Sequence, residues 1–195
     1  MTNRGRKYIM PAAFVLLGGC ISLSPDIPPS LMTLSPQAEA PAGTEVTASN
    51  AIAVDVPDVP ASLDVLRVPV QVTDSEIAYL KDAQWVEKPA QLFTRLLAET
   101  IRVRNSTMAV DGGDPTLKID SRLGGVLRQF GYDARSNSVI VRYDAILRGK
   151  GGSFEARRFE AVIPGVTAEA GPVSMALNDA ANDVAAQIAD WIKTR

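Results

Sequence analysis

The chain has 195 residues, with 20 basic and 22 acidic side chains and a formal net charge of −2. It holds no histidine and a single cysteine, which excludes imidazole metal sites, His-based catalytic triads and an internal disulfide. The acidic balance argues against a nucleic-acid binder, whose surface carries a basic footprint.

Arg4, Arg6 and Lys7 form a positive start, followed by an apolar run over residues 8–17. The run is too short to span a bilayer, which takes about 20 apolar residues. Gly18, Gly19 and Cys20 follow at once. Charge, apolar run and small residues in that order have the form of a secretory signal. With the thiol directly after them, the stretch resembles a bacterial lipobox. There the cysteine is alkylated by a diacylglycerol and the chain is cut before it. The expectation is a signal peptide over residues 1–19 and a lipidated Cys20 as the first mature residue. The mature chain then carries a net charge of −5. Palmitate and the other acyl chains would hold it on a membrane, each buried CH2 being worth about 0.8 kcal/mol. Apart from this covalent lipid, no cofactor or metal is expected. The mature body is expected to be soluble.

Residues 20–30 read as the lipidated N-terminus and a tether. The ten residues 21–30 include three prolines and extend to roughly 30 Å. The domain is then residues 31–195. Residues 31–34 look extended, and residues 37–50 read as a surface loop. Residues 51–56 alternate Ile52, Val54 and Val56 on one face, a strand that Pro57 and Pro60 end. Residues 61–65 suit one helical turn. Residues 67–73 form a second strand, with Pro69 marking an edge or bulge. Residues 76–81 return as the other arm of a hairpin.

Residues 89–104 form the clearest helix, with Leu92, Phe93, Leu96, Leu97 and Ile101 on one stripe. Pro89 suits its first turn, and Arg102 and Arg104 suit its last. Residues 106–110 make a short strand closed by a turn over residues 111–114. A strand over residues 117–123 follows, then a bulge or bend at Gly124 and Gly125, then a strand over residues 126–132. Residues 139–147 place Val139, Val141, Tyr143, Ala145 and Leu147 on one face. Arg142, Asp144 and Arg148 fall on the other, solvated face. Residues 149–152 turn into a last strand over residues 153–163. The short connections after residue 106 imply antiparallel pairing. Ser174 can cap a final helix with a stripe of Leu177, Ala181, Val184, Ala185, Ile188, Trp191 and Ile192. This order predicts an α+β fold, an antiparallel sheet with both main helices on one face.

Motif chemistry is sparse. Residues 149–152 are Gly-rich but sit between strands, so they read as a hairpin turn rather than a phosphate loop. Asp111 and Asp114 lack the further oxygens a calcium loop needs. The stretch of residues 85–90 stands apart. Trp85 either packs over the first helix as a staple or, with Glu87 and Pro89, faces a partner.

Residues 54–92 (VDVPDVPASLDVLRVPVQVTDSEIAYLKDAQWVEKPAQL) resemble the ABC-type transport auxiliary lipoprotein family. That family includes the paraquat-inducible lipoprotein associated with MCE-type transport. The shared features are the lipobox, the proline-rich strand exit over residues 57–63, and the Trp85, Glu87 and Pro89 element. The C-terminal helix ending in the aromatic Trp191 is shared too. The resemblance implies a non-enzymatic accessory of an MCE and ABC permease/ATPase assembly that moves lipid between membranes. Its partners are the membrane, through the anchor, the MCE protein and the permease complex. Self-association into a homo-oligomer stays open, and no nucleic acid is involved. Ile21, in place of an Asp after Cys20, favours the periplasmic face of the outer membrane over the inner membrane. The alternative is an independent periplasmic lipid-binding shuttle, which requires an apolar cavity between helices and sheet.

Overall fold

Among the described residues, seven strands and two long helices make up the domain, and one long strand takes the central place. The computed structural model describes residues 30–37, 39–40, 42–43, 51–111 and 119–195. The elements are β1 (Ile52–Val54), β2 (Arg67–Gln71), β3 (Ile77–Gln84), α1 (Pro89–Asn105), β4 (Ala109–Asp111), β5 (Ser121–Asp133), β6 (Ser138–Arg148), β7 (Phe154–Pro164) and α2 (Ala170–Lys193). The buried core runs from Met32 to Trp191, so the domain from residue 30 onward carries its own core.

The two helices pack against each other on one face of the sheet, as the α+β reading expected, with α2 chiefly over β6 and β7 and α1 beside β1 and β4. The sheet itself is mixed. β5–β6, β6–β7 and β2–β3 are antiparallel, but β1–β4, β1–β5 and β2–β5 are parallel. The short-connection argument holds for β5 to β7. It does not reach β1 and β4, between which the hairpin and α1 supply a long crossover. On one edge, the 13-residue β5 holds two parallel partners end to end. β1 pairs along Ser121, Arg122 and Leu123, and β2 pairs at Tyr132 and Asp133. Asp58 bridges the gap between them at Val126.

Three local expectations change. Gly124 and Gly125 do not break the strand, and the register shift lies further on, between Leu127 and Gln129. Gly125 has a φ of +140° where β6 comes close, so glycine serves close approach rather than a bend. Ser174 is not the cap of α2. The helix begins at Ala170 with Glu169 at its N-cap, because Pro172 lies in the first turn, where an N–H is not needed. Val56 lies beyond the end of β1 and is exposed. The expected turn at residues 111–114 and the start of the strand at residue 117 fall largely outside the described residues.

The N-terminal segment does more than loop over the surface. Asn178 and Asn182, one turn apart on α2, accept from the backbone N–H groups of Ser35 (2.8 Å) and Gln37 (2.9 Å). The Asn182 amide also donates to the Ser35 carbonyl at 2.9 Å. The Ala40 N–H donates to Glu99 on α1 at 2.7 Å. The segment is thus strapped across both helices, and buried Asn182 is satisfied by it.

Candidate interaction surface

Trp85 closes β3 at the mouth of α1, and its surroundings decide its role. The residue is 1% exposed. Its ring lies 5.6 Å from Phe130, which meets Phe93 at 6.2 Å, and Phe93 meets Tyr143 at 5.5 Å. Met32 bridges to Trp85 on the outer side, and the Trp85 backbone N–H donates to the Leu66 carbonyl at 2.8 Å. Trp85 is therefore a core staple, and the premise of an exposed tryptophan is corrected. Pro89 is buried in the first turn of α1. Glu87 alone of the three reaches solvent, and it is engaged by Arg95 from the next turn (Nη1–Oε1 3.1 Å). That guanidinium holds the Glu87 carboxyl below its usual range. An aromatic before a helix has the same spacing whether it faces inward or outward, so the sequence alone left both roles open. Cys20 lies outside the described residues.

Two hollows lie beyond this element. One, of about 590 Å³, lies between the N-terminal segment and α1. Among its charged groups, Arg102 pairs with Glu99 and donates to the Ala109 carbonyl at 2.7 Å. The other, of about 220 Å³, opens at the seam of β2 and β5 beside Leu63, Pro69, Ile77 and Phe130. Among the described residues, no group of three or more Cys, Asp or Glu converges as a metal site. No described helix is long and apolar enough to cross a membrane.

Another surface feature is the face of β5, β6 and β7 turned away from the helices. Strand alternation buries Leu127, Phe130, Val141, Tyr143 and Phe159 under the helices. The register then sets the opposite face in rows. Arg122, Arg148 and Phe154 stand abreast, then Gly124, Ile146 and Ala156, then Val126, Asp144 and Arg158, then Gln129, Arg142 and Glu160. Phe154 is 69% exposed, and Val162 further along is 47% exposed. Asp144 is shared by two arginines, accepting from Arg158 Nε at 2.6 Å and from Arg128 Nε at 2.9 Å. Arg122 pairs with Asp55 at 2.9 Å, and Arg142 pairs with Glu160. Arg148 is in no ion pair among the described residues. At the far end Arg135 lies between Asp133 and Asp74. The alternation of Arg142, Asp144 and Arg148 had shown this face as solvated; the contribution of Phe154 and Arg158 required the β7 register.

Arg158, and Arg128 after it, hold the Asp144 carboxyl down at about 2, from an ordinary value of 3.8. A depressed carboxylate stabilises the fold above its unfolded pKa and loses that contribution as pH falls through its folded one. The two guanidiniums are more than half exposed, so solvent screens the pair and the contribution is about 1 kcal/mol. Asp144→Asn is expected to be less stable than the wild type by that amount at neutral pH, with the gap closing between about pH 4 and pH 2. Urea unfolding of both proteins across that range checks it. A gap that does not change with pH would assign the loss to packing instead.

No curated protein sequence matches the chain. Among solved structures, an uncharacterized protein superposes with a TM-score of 0.65 at 15% identity, covering 84% of this chain and 99% of the other. A Xanthomonas campestris protein of the DUF330 family superposes with a TM-score of 0.69 at 15% identity, covering 85% and 95%. At such identity these likenesses speak for the fold alone. A family model described as the ABC-type transport auxiliary lipoprotein component matches residues 32–189, from the Met32 bridge to the last turns of α2. The chain therefore belongs to the ABC-type transport auxiliary lipoprotein family.

Proposed function

We propose that the protein is a lipid-anchored accessory of an MCE and ABC-type intermembrane lipid transport system, tied through Cys20 to the periplasmic face of the outer membrane. It works by binding, without catalysis of its own. The observation that favours an accessory over a lipid-carrying shuttle is the filling of the space between helices and sheet. Phe93, Leu127, Phe130, Tyr143 and Ile188 are each at most 1% exposed there. An acyl chain would have to displace close-packed side chains to enter. The uncovered sheet face offers contact area instead.

Affinity capture separates the two readings. The wild-type protein, purified from membranes in mild detergent, is expected to bring down the MCE protein and permease of the same organism. Mass spectrometry is expected to find no stoichiometric phospholipid on the mature chain made with Cys20→Ser. One phospholipid held per such chain, with no MCE protein captured, would establish the shuttle. Labelled fatty acid is expected to enter the wild type and not Cys20→Ala, and a wild type that takes up no label would remove the anchor from the reading.

A further inference from the structure

The uncovered sheet face is unevenly charged. Its three strands, with the segment after β1, carry Arg122, Arg128, Arg142, Arg148 and Arg158 against Asp55, Asp58, Asp133, Asp144 and Glu160. The five of each sign balance, but they are not evenly spread along the face. Positive groups gather toward the β6–β7 turn, where Arg148 is in no ion pair among the described residues and Arg158 and Arg128 share one carboxylate. In the turn itself Lys150 is matched by Asp120 at 3.0 Å. The far end is not basic, since Asp133 and Asp74 flank Arg135.

The same corner carries the most exposed aromatic side chain among the described residues. Phe154 opens β7 directly abreast of Arg148, after Gly149, Gly151 and Gly152 have brought the chain round. Ile146 lies one row behind it. A guanidinium in no ion pair among the described residues, beside a projecting aromatic at a hollow of about 320 Å³ that Ile146 also lines, suits the boundary layer of a phospholipid membrane. The ring enters between acyl chains while the guanidinium binds phosphate. We propose that this corner docks the domain on an anionic phospholipid surface, on the membrane that carries the anchor. The inference rests on the lipid anchor proposed above, because a tether of roughly 30 Å keeps the corner within reach of headgroups.

Arginine near an anionic bilayer adds a modest attraction per side chain, so single changes are measurable without abolishing the fold. The test uses the mature chain with Cys20→Ser, so that no acyl chain contributes. Flotation with vesicles of phosphatidylethanolamine and phosphatidylglycerol is compared with flotation with phosphatidylcholine alone. The protein is expected to float with the first and not with the second. Arg148→Glu and Phe154→Ser are each expected to lower the floated fraction about tenfold. Met175→Ser, which removes an equally exposed apolar side chain from α2, is expected to change nothing. Unchanged melting temperatures confirm that the surface variants are folded. Flotation with neither vesicle, equal flotation with both, or flotation indifferent to Arg148→Glu overturns the proposal. Loss of MCE capture on Arg148→Glu without any flotation would assign the corner to a protein partner and overturn it as well. MCE capture by the wild type is measured separately, so failure of the accessory reading leaves the flotation result intact.

Discussion

Trp85→Ala is expected to cost about 3–5 kcal/mol, the range for truncating a buried aromatic. In a chain of this size that lowers the melting temperature by about 10 °C or more. The reason is position. Trp85 joins the Phe130, Phe93 and Tyr143 rings under α1 and is clamped from outside by Met32. Its loss leaves a void touched by β3, β5, α1 and the N-terminal segment together. The Nε1–H has no acceptor among the described residues, so Trp85→Phe keeps the ring contacts while removing an unsatisfied donor. Trp85→Phe is therefore expected to cost a fraction of the alanine change. Thermal and urea unfolding of both variants measure the difference. If the alanine variant melts with the wild type, Trp85 is not a core staple. Capture of the proposed MCE partner at low temperature is expected to survive the substitution, because the ring presents almost no surface.

A second large effect is expected at Gly125. A Cβ placed there overlaps the carbonyl oxygen of Asp144 and stands 3.0 Å from its carbonyl carbon and 3.1 Å from Ala145 Cα. Those are backbone atoms of the paired strand, which cannot swing aside as a side chain can. The φ of +140° adds strain for any residue with a Cβ. Gly125→Ala is expected to cost about 3–4 kcal/mol, combining strain with overpacking. Gly124→Ala is the control. Its Cβ would meet Arg148 Nη1 at 3.5 Å and Asp55 Oδ2 at 3.6 Å, which is ordinary contact. Urea unfolding is expected to place the two substitutions about 2 kcal/mol apart or more. Equal losses would mean that β6 yields at this point.

The elements with long, regular periods were legible in the sequence. The α1 stripe, the β6 alternation and the α2 stripe all bury the side chains expected of them, except Leu147 and Ile192, which are half-buried at the ends. What local period cannot carry is the choice of a distant partner. β1 has three residues, and nothing in Ile52, Ala53 and Val54 encodes that β4 and β5 will lie on either side of them. The strap is hidden for a similar reason. Asn178 and Asn182 look like polar interruptions of an apolar helix until Ser35 and Gln37 are seen to use them. The interaction surface was half legible. The charged face of β6 followed from alternation, but Trp85 could be placed inside only by its neighbours in space.

The double pairing along one edge of β5 has a consequence for the order in which the chain can assemble. β5, β6 and β7 are joined by turns of a few residues, so their pairing closes small loops. Ile52 meets Ser121, and Ser35 meets Asn178 across a separation of 143 residues. Closing such loops costs more entropy and slows folding. The meander is thus the natural nucleus. β2 has its hairpin partner β3 close by, whereas β1 must wait for β4 and β5. The strap, synthesised before them all, settles last because its partners lie on the final helix.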